Sequence, residues 1–305
     1  MKTNKLFMAF AKGNESVDAA PISRYIGVAP VFVLAVNPTK EELEKLYDTE
    51  LEKAPEYISE TEVGPEGNKY KVPQVRLDFI VKTDAEKCNG IDMKTKVSFF
   101  ITKEVRYNRD ITKVQVINKY GETTWLPIEN AKAGTVPENL SWFEPAEFRP
   151  AYIGEEELTN FIKKYLVIPN KSYRKPNGEV VELKDKTEAE ARLDKIEDYF
   201  KGNFSELKSI INLQPNNKVK CMFGVRTTDD NKQYQAVFTQ EFATNRTTDY
   251  SKIDKVLQER KSAGAYQSTE FSICELKEYK VESTSFSEPV DEMPFGETPT
   301  SPWFN

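Results

Sequence analysis

The sequence predicts an α+β protein: an antiparallel β-barrel or curled sheet with helical insertions, followed by a disordered acidic C-terminal tail. Three observations predict it. Two segments, 69–126 and 218–281, are rich in strands in which apolar and polar residues alternate with a period of two. A helical stretch, around 150–214, separates them. The final stretch, 282–305, carries five acids and four prolines with no lysine or arginine. Such a composition buries too little apolar surface to offset its ordering entropy. The organisation expected is therefore a body over 1–281, with the helical insertion inside it, and a tail over 282–305.

Taken in order, residues 1–20 read as a loose arm. Arg24 to Asn37 is apolar and β-branched, one strand or two, interrupted at Ala29-Pro30. Thr39 and Glu42 form a capping box that opens a helix with the stripe Leu43, Leu46, Tyr47 and Leu51. Gly64 to Asn68 is a loop. Val75, Leu77, Phe79 and Val81 then alternate with Gln74, Arg76, Asp78, Ile80 and Lys82. Cys88-Asn89-Gly90 is a hairpin-type turn. Val97, Phe99 and Ile101 alternate with Ser98, Phe100 and Thr102, and two more strands lie over 113–126. Residues 127–150 are proline-rich and irregular.

Helices are expected over 155–166, 187–200 and 204–213, with a hairpin or finger at Asn177-Gly178. The second strand segment begins at Lys218, with Val219, Cys221, Phe223 and Val225 facing inward and Lys220, Met222, Gly224 and Arg226 outward. Asp229 to Asn231 turns into a strand over 233–242. A helix over 251–261 and a strand over 269–281 complete the body.

Composition narrows the chemistry. The 305 residues contain no histidine, which removes the commonest general base and the commonest transition-metal ligand. Cys88, Cys221 and Cys274 are far apart and in no metal-ligand spacing. Neither a cofactor nor a resident metal is expected, and the chain does not read as an enzyme. No run of 18 apolar residues suggests a membrane span, and the N-terminus lacks a signal-peptide core, so a cytoplasmic location is expected. Phosphate-loop, dinucleotide and nucleophile-elbow motifs are absent.

The charge is unevenly distributed. The net charge is −6, of which the tail carries −5, leaving the body near neutral. Residues 41–66 carry a local −8, and residues 67–121 a local +6. The basic block is interleaved with aromatics: Arg76, Lys82, Lys94, Lys96, Tyr107, Arg109, Lys113, Tyr120 and Trp125. Lys220, Arg226 and Tyr234 repeat the pattern in the second strand segment. Single-stranded nucleic acid calls for both kinds of residue, cations to track phosphates and flat rings to accept unpaired bases. An OB-like barrel is the usual platform for that chemistry. These twelve residues are the candidate single-stranded-DNA-binding set.

Carboxylate clusters at Glu155 to Glu157, at Glu188, Glu190 and Asp194, and at Asp229-Asp230 are the places where a metal-dependent nuclease would be sought. Helix starts favour acids through the dipole and turns favour Asp, which accounts for all three clusters.

The tail motif Asp291-Glu292-Met293-Pro294-Phe295 resembles the acidic Pro-Phe tip of bacterial single-stranded-DNA-binding proteins. A second aromatic tip follows at Trp303-Phe304. The segments 35–43 and 218–243 resemble strands of single-stranded-DNA-binding proteins of tailed phages, those of Bacteroidetes hosts in particular. The resemblance implies a protein that coats single-stranded DNA in phage replication and recombination. It also implies recruitment of replication proteins (a polymerase, primase or helicase) through Asp291, Glu292, Pro294, Phe295, Trp303 and Phe304. A packaged or structural virion protein is the rival expectation, and a carboxylate-metal nuclease the third.

Overall fold

A computed structural model describes residues 23–65, 67–118, 121–140, 143, 148–165, 172–174, 180–182, 196–213 and 216–280. The tail residues Asp291, Glu292, Pro294, Phe295, Trp303 and Phe304, and with them Tyr120, lie outside the described residues.

The chain opens with a long strand, β1 (Arg24–Val36), then helix α1 (Lys40–Tyr47). The capping box forms as the sequence requires: Thr39 N donates to Glu42 Oε2 at 2.7 Å, and Glu42 N to Thr39 Oγ1 at 3.3 Å. Strands β2 (Ile58–Val63), β3 (Tyr70–Thr83) and β4 (Lys94–Val105) follow. Between β3 and β4 the turn carries Asn89 at φ +52° and Gly90 at φ +81°, the left-handed pair an Asn-Gly turn supplies. A small three-stranded sheet comes next, of β5 (Lys113–Asn118), β6 (Thr123–Pro127) and β7 (Phe148–Pro150), with α2 (Ile128–Ala133) between the last two. Then come β8 (Tyr152–Ile153) and α3 (Glu155–Tyr165). Strands β9 (Ser172–Arg174) and β10 (Val180–Glu182) pair antiparallel, while Asn177-Gly178, where a hairpin or finger is expected, lies outside the described residues. Helices α4 (Ile196–Tyr199) and α5 (Ser205–Leu213) lead to the long hairpin β11 (Val219–Thr227) and β12 (Gln233–Thr244), helix α6 (Ser251–Ser262), and the short strands β13 (Thr269–Phe271) and β14 (Lys277–Tyr279).

The fold is thus α+β and dominated by one antiparallel sheet in the order β12-β11-β1-β3-β4-β8, with β2 beside β3, β13 beside β11 and β14 beside β1. β1 does not break at Pro30. It changes partners there, pairing with β11 over 27–31 and with β3 over 31–36. The expected strand over 269–281 is two strands. β13 follows β11 and β14 follows β1, so the chain leaves one neighbour to reach the other. The crossing is tight at Gly27 (φ +131°), where a Cβ would lie 2.7 Å from the Glu275 carbonyl oxygen.

Alternation along the strands sets the layers. Val75, Leu77, Phe79 and Val81 of β3 face Val97, Phe99 and Ile101 of β4 inside the curl, with Cys221 and Phe223 of β11. Phe99 and Phe242 meet with ring centres 6.0 Å apart, so the sheet curls until β4 and β12 approach. Phe161 of α3 fills the gap, 4.9 Å from Phe79, 5.3 Å from Phe99 and 5.0 Å from Phe242. The result is a half-barrel plugged by a helix. A second core lies on the other face of β11 and β12, where α6 covers Met222 and Phe238. Met222, read as outward, is therefore buried, because that face packs on a helix rather than water. The small sheet has its own core of Val114, Val116, Leu126 and Phe143.

Candidate nucleic-acid interface

The outward face of β3 and β4 carries half of the sequence-predicted cations, Arg76, Lys82, Lys94 and Lys96. Cross-strand register places Gln74 opposite Thr102, Arg76 opposite Phe100, Asp78 opposite Ser98, Ile80 opposite Lys96 and Lys82 opposite Lys94. Side chains paired in this way stand about 5 Å apart at Cβ, so each row is a contact.

One end of the face is organised by a buried carboxylate. Asp78 accepts from Ser98 Oγ at 2.7 Å, and lies 3.2 Å from Arg76 Nε and 3.3 Å from Lys96 Nζ. Its backbone N–H donates to Asn37 Oδ1 at 2.7 Å. Arg76 also lies over the Tyr57 ring, 5.6 Å from its centre. Helix α1 packs over this end: Lys94 Nζ donates to the Leu46 carbonyl at 3.0 Å, and burial, reinforced by Asp78, pushes the Tyr47 hydroxyl up to about 12. Lys82 pairs with Asp92 at 3.1 Å. Arg76, Lys82, Lys94 and Lys96 therefore all have partners within the chain.

The other end is open. Phe100 is 53% exposed, Tyr70 49% and Tyr107 46%. The Tyr70 hydroxyl donates to Glu104 Oε2 at 2.8 Å, and that bond raises its pKa. Tyr107 is near enough to Tyr70 to reinforce the effect. Phe100 lies on β4, Tyr70 opens β3, and Tyr107 follows the end of β4 by two residues. Just beyond, Arg109 and Lys113 are exposed and make no ion pair with a described residue. This combination of presented rings and unneutralised cations can hold an extended polyanion with planar side groups.

The remaining candidates divide. Trp125 is half-buried, with Arg106 Cζ 5.8 Å from its ring centre. Arg106 donates to Glu156 Oε2 at 2.6 Å and to Gln115 Oε1 at 3.2 Å, so the Trp belongs to the joint that fastens the small sheet to α3. Lys220 donates to the Thr247 carbonyl at 2.6 Å and to the Tyr250 hydroxyl at 2.9 Å, beneath α6. Arg226 stands opposite Tyr234, which is 39% exposed, on the β11–β12 hairpin. That hairpin is three strands away from β4 along the sheet path, so these two form a separate cluster.

Three of the described cluster carboxylates are held by neighbours, while Glu157 Oε2 is buried without a hydrogen-bond partner. Glu155 is buried, accepts from Arg149 Nη1 and from the Tyr152 N–H, both at 3.0 Å, and pairs a second time with Arg149. Glu156 binds Arg106, and Asp230 binds Lys232 at 2.7 Å, with its pKa drawn down to about 2, chiefly by that bond. Among the described residues no three His, Cys, Asp or Glu side chains gather to hold a metal ion. Glu188, Glu190 and Asp194 lie outside them.

Phe100 and Tyr70 are absent from the candidate set read from the sequence. A signal for Phe100 was present: it occupies the polar register of an alternating strand, where a large ring must face outward. Tyr70 begins its strand and has no such pattern around it.

Comparison with known proteins finds no match to any family model, to any curated protein or to any solved structure. Among the described residues no helix is long and apolar enough to cross a membrane.

Proposed function

We propose that this chain binds single-stranded DNA along the open end of the β2–β3–β4 face, coating it with little sequence preference in phage replication and recombination. On this reading the plugged half-barrel is an OB-like body, and the protein acts in the host cytoplasm as a binding protein rather than an enzyme. The observation that carries it is the half-exposed Phe100 ring set directly across from Arg76, with Tyr70 and the neighbouring Tyr107 also about half exposed. Each base stacked on such a ring contributes about 1–3 kcal/mol, and every base has a face to stack. Arg109 and Lys113 supply charge for phosphates and make binding fall as salt rises. The acidic tail is read as a recruiting segment for replication proteins, with Phe295 and Trp303-Phe304 as its tips.

The test is fluorescence anisotropy of a labelled oligo-dT strand against a duplex of equal length. Single-strand binding at micromolar protein, with the duplex at least about tenfold weaker, is expected. No binding of the single strand, or a preference for the duplex, would overturn the proposal.

A further inference from the structure

The hairpin between β4 and β5 holds an unusual residue. Asn108 builds the turn: its Oδ1 accepts from the N–H groups of Thr112 at 2.9 Å and Lys113 at 2.7 Å, and its Nδ2 donates to Thr112 Oγ1 at 3.0 Å. At the tip, Ile111 sits at φ +54°. Left-handed backbone crowds a β-branched side chain, and this is where Gly, Asn and Asp normally occur. The chain mostly follows that rule elsewhere, Tyr266 at φ +61° being the other exception. Of the six described non-glycine residues with positive φ, four are Asn37, Asp48, Asn89 and Asn231, and Ile111 is the one with a branched Cβ.

Burial does not compensate for the crowding. Ile111 is 65% exposed, the most exposed of the large apolar side chains described. Its side chain gives the fold little, and the backbone it sits on would be more stable with glycine or asparagine. Observed strain of this sort points toward function. The surroundings indicate a ligand class. Tyr107 precedes the tip, and Arg109 and Lys113 flank it without ion-pair partners among the described residues. Asp110 leaves the tip at a net positive charge.

We infer that the 107–113 hairpin is a wedge, with Ile111 inserting between adjacent bases of a single strand while Arg109 and Lys113 hold the phosphates on either side. Apolar side chains, isoleucine among them, insert between the base steps of duplex DNA from the minor groove, and the same unstacking is inferred here on a single strand. The inference rests on the single-strand reading above and adds to the rings of Phe100, Tyr70 and Tyr107 a residue that parts the bases.

The experiment uses the full chain and a labelled oligo-dT strand, comparing wild type with Ile111→Gly and Ile111→Asn by anisotropy and by thermal unfolding. Relief of the crowded backbone should raise the unfolding midpoint of Ile111→Gly by about 2–4 °C. Loss of the wedge should weaken binding by both variants about fivefold or more. Unchanged affinity in the variants overturns the wedge and points to a protein contact at the tip. A lowered midpoint also overturns it, because Ile111 would then be a packing residue. Failure of the wild type to bind any strand overturns the underlying reading together with the wedge.

Discussion

The two ends of the β3–β4 outer face are built from the same residue types and do opposite things. Under α1, Arg76 and Lys96 converge on the buried Asp78, and Lys94 holds the Leu46 carbonyl of the helix. At the far end, Phe100, Tyr70 and Tyr107 stand in solvent, and Arg109 and Lys113 lack ion-pair partners among the described residues. A count of cations along the sequence treats both ends alike. The difference lies in which acceptors within the chain reach each charge: Asp78, Asp92 and the Leu46 carbonyl hold the cations near α1, whereas Arg109 and Lys113 have no ion-pair partner among the described residues.

The largest expected effect tests the closed end. Asp78→Ala leaves Arg76, Lys96 and the Ser98 hydroxyl without their common acceptor. Removing one member of a buried ion pair costs about 3–5 kcal/mol, and partial exposure of both cations brings this to about 2 kcal/mol. Chemical denaturation should show that loss, while oligo-dT affinity holds or improves as the cations are released. A large loss of affinity in folded protein would erase the distinction between the ends.

Phe100→Ala probes the open end. Binding to oligo-dT should weaken by about 1–3 kcal/mol. Stability should fall by no more than about 2 kcal/mol, since about half of the ring is in water. A variant that unfolds instead would mark Phe100 as a packing residue.

The smallest effect lies beside the interface, where Lys103 of β4 pairs with Glu197 at 2.8 Å and Tyr152 donates to the same carboxylate. The Lys103 bond, followed by the Tyr152 bond, lowers the Glu197 pKa below its ordinary 4.5. A lowered carboxylate pKa stabilises the fold above the unfolded-state value and loses that contribution as pH falls through the folded-state value. Both side chains are more than a third exposed, so Glu197→Gln should cost under about 1 kcal/mol at pH 7. The gap from wild type should close as the pH falls below 4.5. A gap that persists at lower pH would show that packing, not charge, sets the contribution.

Much of the half-barrel was legible in the sequence because alternation is local. The inward set Val75, Leu77, Phe79 and Val81 and the capping box of Thr39 and Glu42 lie where their spacing puts them. Pro30 misleads because a change of strand partner, invisible locally, lets β1 continue past it. β2 escapes the reading because an edge strand with Glu60 and Glu62 exposed carries little apolar pattern. For the interface, residue type was legible and availability was not. Lys220 and Trp125 look free in sequence, yet meet Tyr250 and Arg106 through long-range folding. Ile111 could not be found from sequence, since nothing in its neighbours announces a positive φ.

The most direct measurement is the salt dependence of oligo-dT binding in two double variants, Arg109→Ala with Lys113→Ala at the open end and Lys82→Ala with Lys94→Ala at the closed end. Each phosphate contact on a single strand contributes about 0.7 to the slope of log affinity against log salt. The open-end pair should lose about 1.4 from the slope and the closed-end pair close to nothing. A slope that falls for the closed-end pair and holds for the open-end pair would contradict the placement of the strand.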